Sequence, residues 1–100
     1  MFKRVSIMKF PDITKAKLYV SIWKTDIIPA LEEDPNCSAV DLIDIGEGKI
    51  MGIATYNNKE QFKETNKWLF PKVMDYIKSL DGVVESIPGE ILASWRKDRK

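Results

Sequence analysis

The strongest pattern of apolar and polar positions lies in Val40 to Tyr56, VDLIDIGEGKIMGIATY, where two β-like runs flank Gly46-Glu47-Gly48-Lys49. Two such runs joined by a short glycine-bearing connection are a hairpin signal. With Glu47-Gly48 as a two-residue turn, Ile45 faces Ile50, Ile43 faces Gly52 and Val40 faces Thr55. Alternation then puts Ile43, Ile45, Ile50, Gly52 and Ala54 on one face. It puts Val40, Leu42, Met51, Ile53 and Thr55 on the other. A longer loop using Gly46 or Gly48 shifts the register and swaps the face labels, but both faces stay apolar. An antiparallel sheet with one wet face shows a polar side, so each face here needs a cover. Helices of the same chain can supply one, and a partner the other.

The remaining pattern supplies the elements around this hairpin. Arg4 to Phe10 (RVSIMKF) reads as a first strand with Val5 and Ile7 on one face and Phe2, Met8 and Phe10 on the other. Asp12 caps a helix whose apolar residues Ala16, Val20, Trp23 and Ile27 recur at the helical period. Pro29 predicts a kink or a short second helical piece over Ala30 to Asp34. Asn58, with Gln61 at capping-box spacing, opens a second helical region. Its stripe runs through Phe62, Leu69, Val73, Tyr76, Ile77 and Leu80, and Pro71 predicts a break after Trp68. Asp81-Gly82 is a helix stop. Pro88-Gly89 then leads into a last strand, Glu90 to Arg96. The order β-α-β-β-α-β predicts an α+β, ferredoxin-like fold with a four-stranded antiparallel sheet. One domain over residues 1–96 is expected, with a disordered charged tail at 97–100.

Composition narrows the function classes. The net charge of +1 gives no electrostatic case for nucleic acid or an anionic membrane. No apolar run approaches the roughly 20 residues that span a bilayer, so no membrane partner is expected. Cys37 is the only cysteine, and no signal-peptide pattern opens the chain, so a reducing, cytoplasmic location is expected. Histidine is absent, which removes Ser-His-Asp and Cys-His catalysis and the commonest metal ligand. No spacing of acidic residues reads as a metal site, and Gly46-Glu47-Gly48-Lys49 lacks the spacing of a phosphate loop.

The candidate pocket lies between helices and sheet. Gly52 and Ala54 leave a shallow region on a strand, and Tyr19, Trp23 and Trp68 come from helices to wall it, which suits a small apolar or aromatic ligand. The same pattern also serves plain core packing, with small strand residues accepting large helix side chains. Tyr56 and Trp95 have the same two readings. Asp41 and Asp44 sit on a strand among apolar neighbours. Either acts as an acid or base if buried, or else meets a cation such as Arg4 or reaches water at an edge. Cys37 lacks an activating histidine and reads as an inert thiol.

Three stretches carry a family resemblance: the turn Glu32-Glu33-Asp34-Pro35-Asn36-Cys37, the central hairpin, and Tyr56-Asn57-Asn58-Lys59-Glu60-Gln61-Phe62. With the element order from about Val5 to Trp95, the chain resembles the dimeric α+β barrel proteins, and among them the antibiotic-biosynthesis-monooxygenase-like domains. The resemblance implies a homodimer in which two four-stranded sheets close into a barrel. Some members oxidise aromatic polyketides with oxygen and no cofactor, others degrade haem, and many have no assigned activity. It therefore implies no cofactor here and an electron-rich aromatic substrate, with a non-catalytic ligand-binding or assembly module as the alternative. The monooxygenase members are associated with an Asn-Trp-His constellation, and haem-degrading members generally use a histidine ligand. This chain lacks the histidine of both.

Overall fold

The computed structural model describes residues 1–97; beyond Lys97, the tail expected to be disordered lies outside the described residues. The chain forms β1 (Phe2–Lys9), α1 (Ile13–Ile22), a π-helical turn (Trp23–Ile27), α2 (Ile28–Glu32), β2 (Cys37–Gly46), β3 (Lys49–Tyr56), α3 (Lys59–Ser79) and β4 (Val83–Glu90). The strands pair antiparallel in the order β2-β3-β1-β4. The helices lie on one face, giving the expected ferredoxin-like α+β fold.

Both helix starts follow their capping residues. Asp12 Oδ1 accepts from Lys15 N at 2.8 Å, and Asn58 Oδ1 accepts from Gln61 N at 2.9 Å. Each satisfies one of the donors a helix start leaves free. Pro29 sits in the first turn of α2, directly after the π-helical turn. Its ring crowds the preceding carbonyls and its nitrogen has no hydrogen to offer. The widened turn, with Ile28 N–H reaching Trp23 O, absorbs both effects without a chain break. Pro71 behaves differently from expectation, because α3 runs unbroken through it. Thr65, Leu69, Val73 and Ile77 are buried on both sides of Pro71. That continuous stripe holds the helix on the sheet, while the exposed Pro71 has no N–H to offer the Lys67 carbonyl four residues back.

The hairpin turn is the one predicted, with Glu47 at φ 56° and Gly48 at φ 77°. Positive φ at both central residues matches the right-handed strand twist. The register is not the one predicted. A bulge at Ile45 shifts the pairs to Asp44↔Ile50, Leu42↔Gly52 and Val40↔Ala54. The β2 residues therefore exchange faces relative to the simple count. Val40 and Leu42 join Ile50, Gly52, Ala54 and Tyr56 under the helices. Ile43 and Asp41 join Met51 and Ile53 on the other side.

The last strand is also displaced from expectation. Pairing Phe2↔Glu90 through Lys9↔Val83 puts it before the predicted Glu90–Arg96 stretch, and Ile91 to Lys97 has no regular structure. Pro88 is tolerated because β4 is an edge strand with one side free of partners. Gly82 starts the return from α3, and a Cβ there would stand 2.7 Å from the Phe10 ring. The core lies between the layers, with Met8, Phe10 and Ile50 from the sheet against Tyr19, Trp23, Ile27, Leu69, Val73 and Ile77 from the helices.

Candidate ligand site

β1 and β3, the two central strands, carry their buried residues toward the helices. On β1 these are Phe2, Arg4 and Met8, so a guanidinium occupies a position whose neighbours in the alternation are core residues. Arg4 is 8% exposed. Its Nε donates to Ser86 Oγ at 2.6 Å and its Nη1 to Asn66 Oδ1 at 2.5 Å. The Ser86 hydroxyl lies 3.1 Å from that of Ser6, and the guanidinium carbon stands 5.2 Å from the centre of the Phe70 ring. Among the described residues no carboxylate pairs with it. Burial lowers its pKa below the ordinary value, against smaller upward pulls from the phenols of Tyr56 and Tyr19.

Arg4, Tyr19, Trp23, Gly52, Ala54 and Tyr56 line one cavity with about 40 Å³ of free space. Gly52 keeps it open, since a Cβ there would already stand 3.4 Å from Leu42 Cδ2 and Met8 Cε. The cavity wall is rich in donors without acceptors. Tyr19 OH, Trp23 Nε1 and Tyr56 OH are buried and have no hydrogen-bond partner among the described residues. Burial pushes the Tyr19 phenol up to about 12, against smaller downward pulls from Trp23 and Arg4. Trp23 Nε1 is close enough to act on that phenol without a hydrogen bond of acceptable geometry for either. Burial raises Tyr56 as well, and the Cys37 thiol beside its hydroxyl raises it further, again without a hydrogen bond of acceptable geometry. Both phenols therefore keep their protons at neutral pH and offer them.

Of the residues that the sequence nominates, Tyr19, Trp23, Gly52 and Ala54 meet at this cavity. Trp68 does not. Its Nε1 donates to Asp34 Oδ2 at 2.8 Å, and Thr65 Oγ1 donates to the same oxygen at 2.9 Å. Asp41 and Asp44 are exposed and outside the cavity. Asp44 Oδ1 accepts from Gly46 N at 2.8 Å, which supports the bulge, and neither carboxylate pairs with Arg4. Cys37 is half-buried, its thiol 3.7 Å from Ala39 O and 3.8 Å from Thr55 O. Burial raises its pKa, so it stays a thiol rather than a nucleophilic thiolate. In the sequence pattern Arg4 stands only as a counter-ion for a strand carboxylate. The signal that marks it is its parity with Phe2, Met8 and Phe10, which puts a charge on the buried face of a strand.

A larger groove of about 690 Å³ runs between α1 and the hairpin, past Lys17, Lys24, Asp44 and Glu47. These four charged residues are exposed, and among the described residues no lining side chain of the groove carries a buried unpaired polar atom. The smaller cavity has the chemistry of a binding site, while the groove has mainly the size.

No protein-family model and no curated protein matches this chain. Solved structures do. A protein of Deinococcus radiodurans ascribed to the antibiotic biosynthesis monooxygenases is similar with a TM-score of 0.81 at 12% identity, over 99% of this chain and 100% of that one. A dimeric ferredoxin-like protein from an uncultured marine organism gives 0.78 at 9% identity, over 97% and 100%. SnoaB, a cofactor-independent oxygenase from Streptomyces nogalater, gives 0.74 at 9%, over 96% and 97%. The likeness is one of fold across the whole domain, and it agrees with the resemblance carried by the turn, hairpin and helix start. No helix of the described residues is long and apolar enough to cross a membrane.

Proposed function

We propose that this protein is a homodimeric α+β barrel that binds a small, partly aromatic molecule between the sheet and helices of each protomer. The observation that carries the reading is the cavity lined by Tyr19, Trp23 and Tyr56, whose buried donors have no acceptor among the described residues. Buried polar groups in folded proteins are otherwise nearly always paired. The free space of about 40 Å³ suits the polar head of such a molecule rather than a ring system. Rings would lie toward the cavity mouth. Ligand-observed NMR against a panel of small phenols, naphthols and benzoates tests this. Binding that weakens in Trp23→Ala is expected, and a panel without a single binder sinks the reading.

The second copy covers the open sheet face. That face presents Val5, Ile43 and Ile87 at 36%, 41% and 70% exposure, with Ile7, Met51 and Ile53 between them. Lys3, Lys9, Asp41 and Glu85 lie on the same face and supply both signs of charge, as a self-complementary two-fold contact needs. An uncovered apolar sheet of this kind marks an interaction surface. Light scattering should give the mass of two chains at micromolar concentration, and Val5→Glu on central strand β1 should halve it. A wild-type mass of one chain would remove this half of the proposal.

The likeness to SnoaB favours a second reading, cofactor-independent oxygenation of the bound aromatic. The substrate supplies the electrons and must be deprotonated first. Asp41 and Asp44 lie away from the cavity, so neither serves as its base. Oxygen uptake with electron-rich quinols separates this reading from a non-catalytic module. Turnover that vanishes in Trp23→Ala supports chemistry, and its absence with quinols that do bind leaves a binding module.

A further inference from the structure

The cavity shows a bias that small-molecule binding alone does not require: among the described residues, each unpaired polar group of its lining side chains carries a proton to donate. Tyr19 OH, Trp23 Nε1 and Tyr56 OH stand there unpaired. Arg4 has spent two N–H groups on Ser86 and Asn66, and forms no other hydrogen bond within the described residues. Both partners are neutral, so they satisfy geometry without neutralising charge. A buried guanidinium without a counter-ion carries an uncompensated desolvation penalty. Four donors around one small space, one of them cationic, match the several lone pairs of a planar oxyanion.

Resting on the proposed small-molecule site, we propose that Arg4, Tyr19, Trp23 and Tyr56 form a receptor for the carboxylate, enolate or phenolate oxygen of the ligand. The anion supplies the counter-charge that Arg4 lacks and the acceptor that the two phenols and the indole lack. The cationic end also selects for the deprotonated form of an ionisable ligand. This gives the site a way to favour an enolate or phenolate without a carboxylate or histidine base of its own. Among the described residues no carboxylate forms an ion pair with Arg4, and the nearest acidic influence on the site is that of Asp34 on the Tyr56 phenol.

Benzoate and benzamide, equal in shape and unlike in charge, test the assignment. The readout is the indole N–H signal of Trp23 in a ¹H–¹⁵N spectrum, assigned with Trp23→Phe. Benzoate should shift that signal in a saturable way, and benzamide should bind about tenfold more weakly, because a charge-assisted hydrogen bond is lost. Arg4→Met should erase the difference between the two probes. Should Arg4→Met fail to fold, Tyr19→Phe serves, and it should weaken benzoate about threefold. Equal binding of the two probes, each shifting Trp23, keeps the pocket and overturns the anion receptor. Benzoate preference that survives in both Arg4→Met and Tyr19→Phe also overturns it. If neither probe moves the Trp23 signal, the pocket itself falls with the receptor.

Discussion

Two polar clusters stand under the helices of this protein, and they are built on opposite principles. The first gathers donors around an acceptor. Asp34 Oδ2 takes hydrogen bonds from Trp68 Nε1 and Thr65 Oγ1, while Asp34 Oδ1 takes Asn36 N at 2.7 Å. The second gathers donors around a void, with Arg4, Tyr19, Trp23 and Tyr56 at a cavity and three of their polar atoms unpaired. Each cluster holds an indole N–H, so residue type does not separate them. The difference is whether the chain supplies the complementary group. The Asp34 cluster is complete and ties the turn before β2 to α3. Among the described residues the Arg4 cluster is incomplete, and its missing part is an acceptor.

The comparison breaks most visibly at Asp34. Asp34→Ala leaves the fully buried Thr65 hydroxyl and the Trp68 indole without an acceptor, and should cost about 2–3 kcal/mol in denaturant unfolding. A loss below about 0.5 kcal/mol would mean that water replaces the carboxylate, and that completeness of the cluster has no energetic consequence. The cluster should also be visible in the acid limb of stability. Burial works to raise the pKa of Asp34, but the hydrogen bonds from Asn36, Trp68 and Thr65 together outweigh it and leave it below its ordinary 3.8. A lowered folded-state value contributes stability that is complete above the unfolded value and disappears as pH falls through the folded one. Wild type should therefore lose more stability than Asp34→Asn on acidification below about pH 4. Parallel acid limbs for the two proteins would place the linkage elsewhere.

These clusters also mark how far the sequence could be read. The turn at Glu47-Gly48 was legible because positive φ at two successive positions leaves few alternatives to a glycine-bearing pair. The bulge at Ile45 was not, since Ile45 resembles its neighbours and the extra residue is set by pairing across the sheet. Pro71 and Pro88 read as breaks, and both sit inside elements. Buried packing overrides the first, and an edge strand accommodates the second. Trp23 and Trp68 look equivalent in the sequence, and only the position of Asp34, across a turn, decides that one is saturated. Arg4 was legible in retrospect through its strand parity. Its lack of a carboxylate depended on where Asp41 and Asp44 ended up, which the bulge determines.

The opposite kind of substitution comes from the same comparison at the cavity. Gly52→Ala brings a methyl within 3.4 Å of Leu42 Cδ2 and Met8 Cε, both ends of flexible side chains. The stability cost should stay within about 1 kcal/mol, because these ends can shift. Benzoate binding should weaken more than stability does, since the methyl narrows the free space. A variant with unchanged affinity would put the ligand elsewhere.

The smallest expected effect is the most discriminating. Tyr19→Phe removes a hydroxyl that is buried and has no partner among the described residues. The ring stays, with its contacts to Phe10 and Trp23 at 5.0 and 6.4 Å between centroids. An unpaired buried hydroxyl costs the folded state its desolvation and returns nothing, so its loss should leave the ligand-free protein within about 0.5 kcal/mol of wild type or slightly more stable. In the Asp34 cluster the matching change, Trp68→Phe, should destabilise by about 1–2 kcal/mol, because it takes away a formed bond to a carboxylate. With benzoate bound the gap should narrow, and Tyr19→Phe should then lose about 0.6 kcal/mol relative to wild type, the threefold weaker binding expressed as stability. The ligand completes the Arg4 cluster, and mass action then counts the Tyr19 bond as part of the folded state. A Tyr19→Phe protein already destabilised by more than about 1 kcal/mol without ligand would show that the hydroxyl is paired in the free protein, and the contrast between the two clusters would be lost.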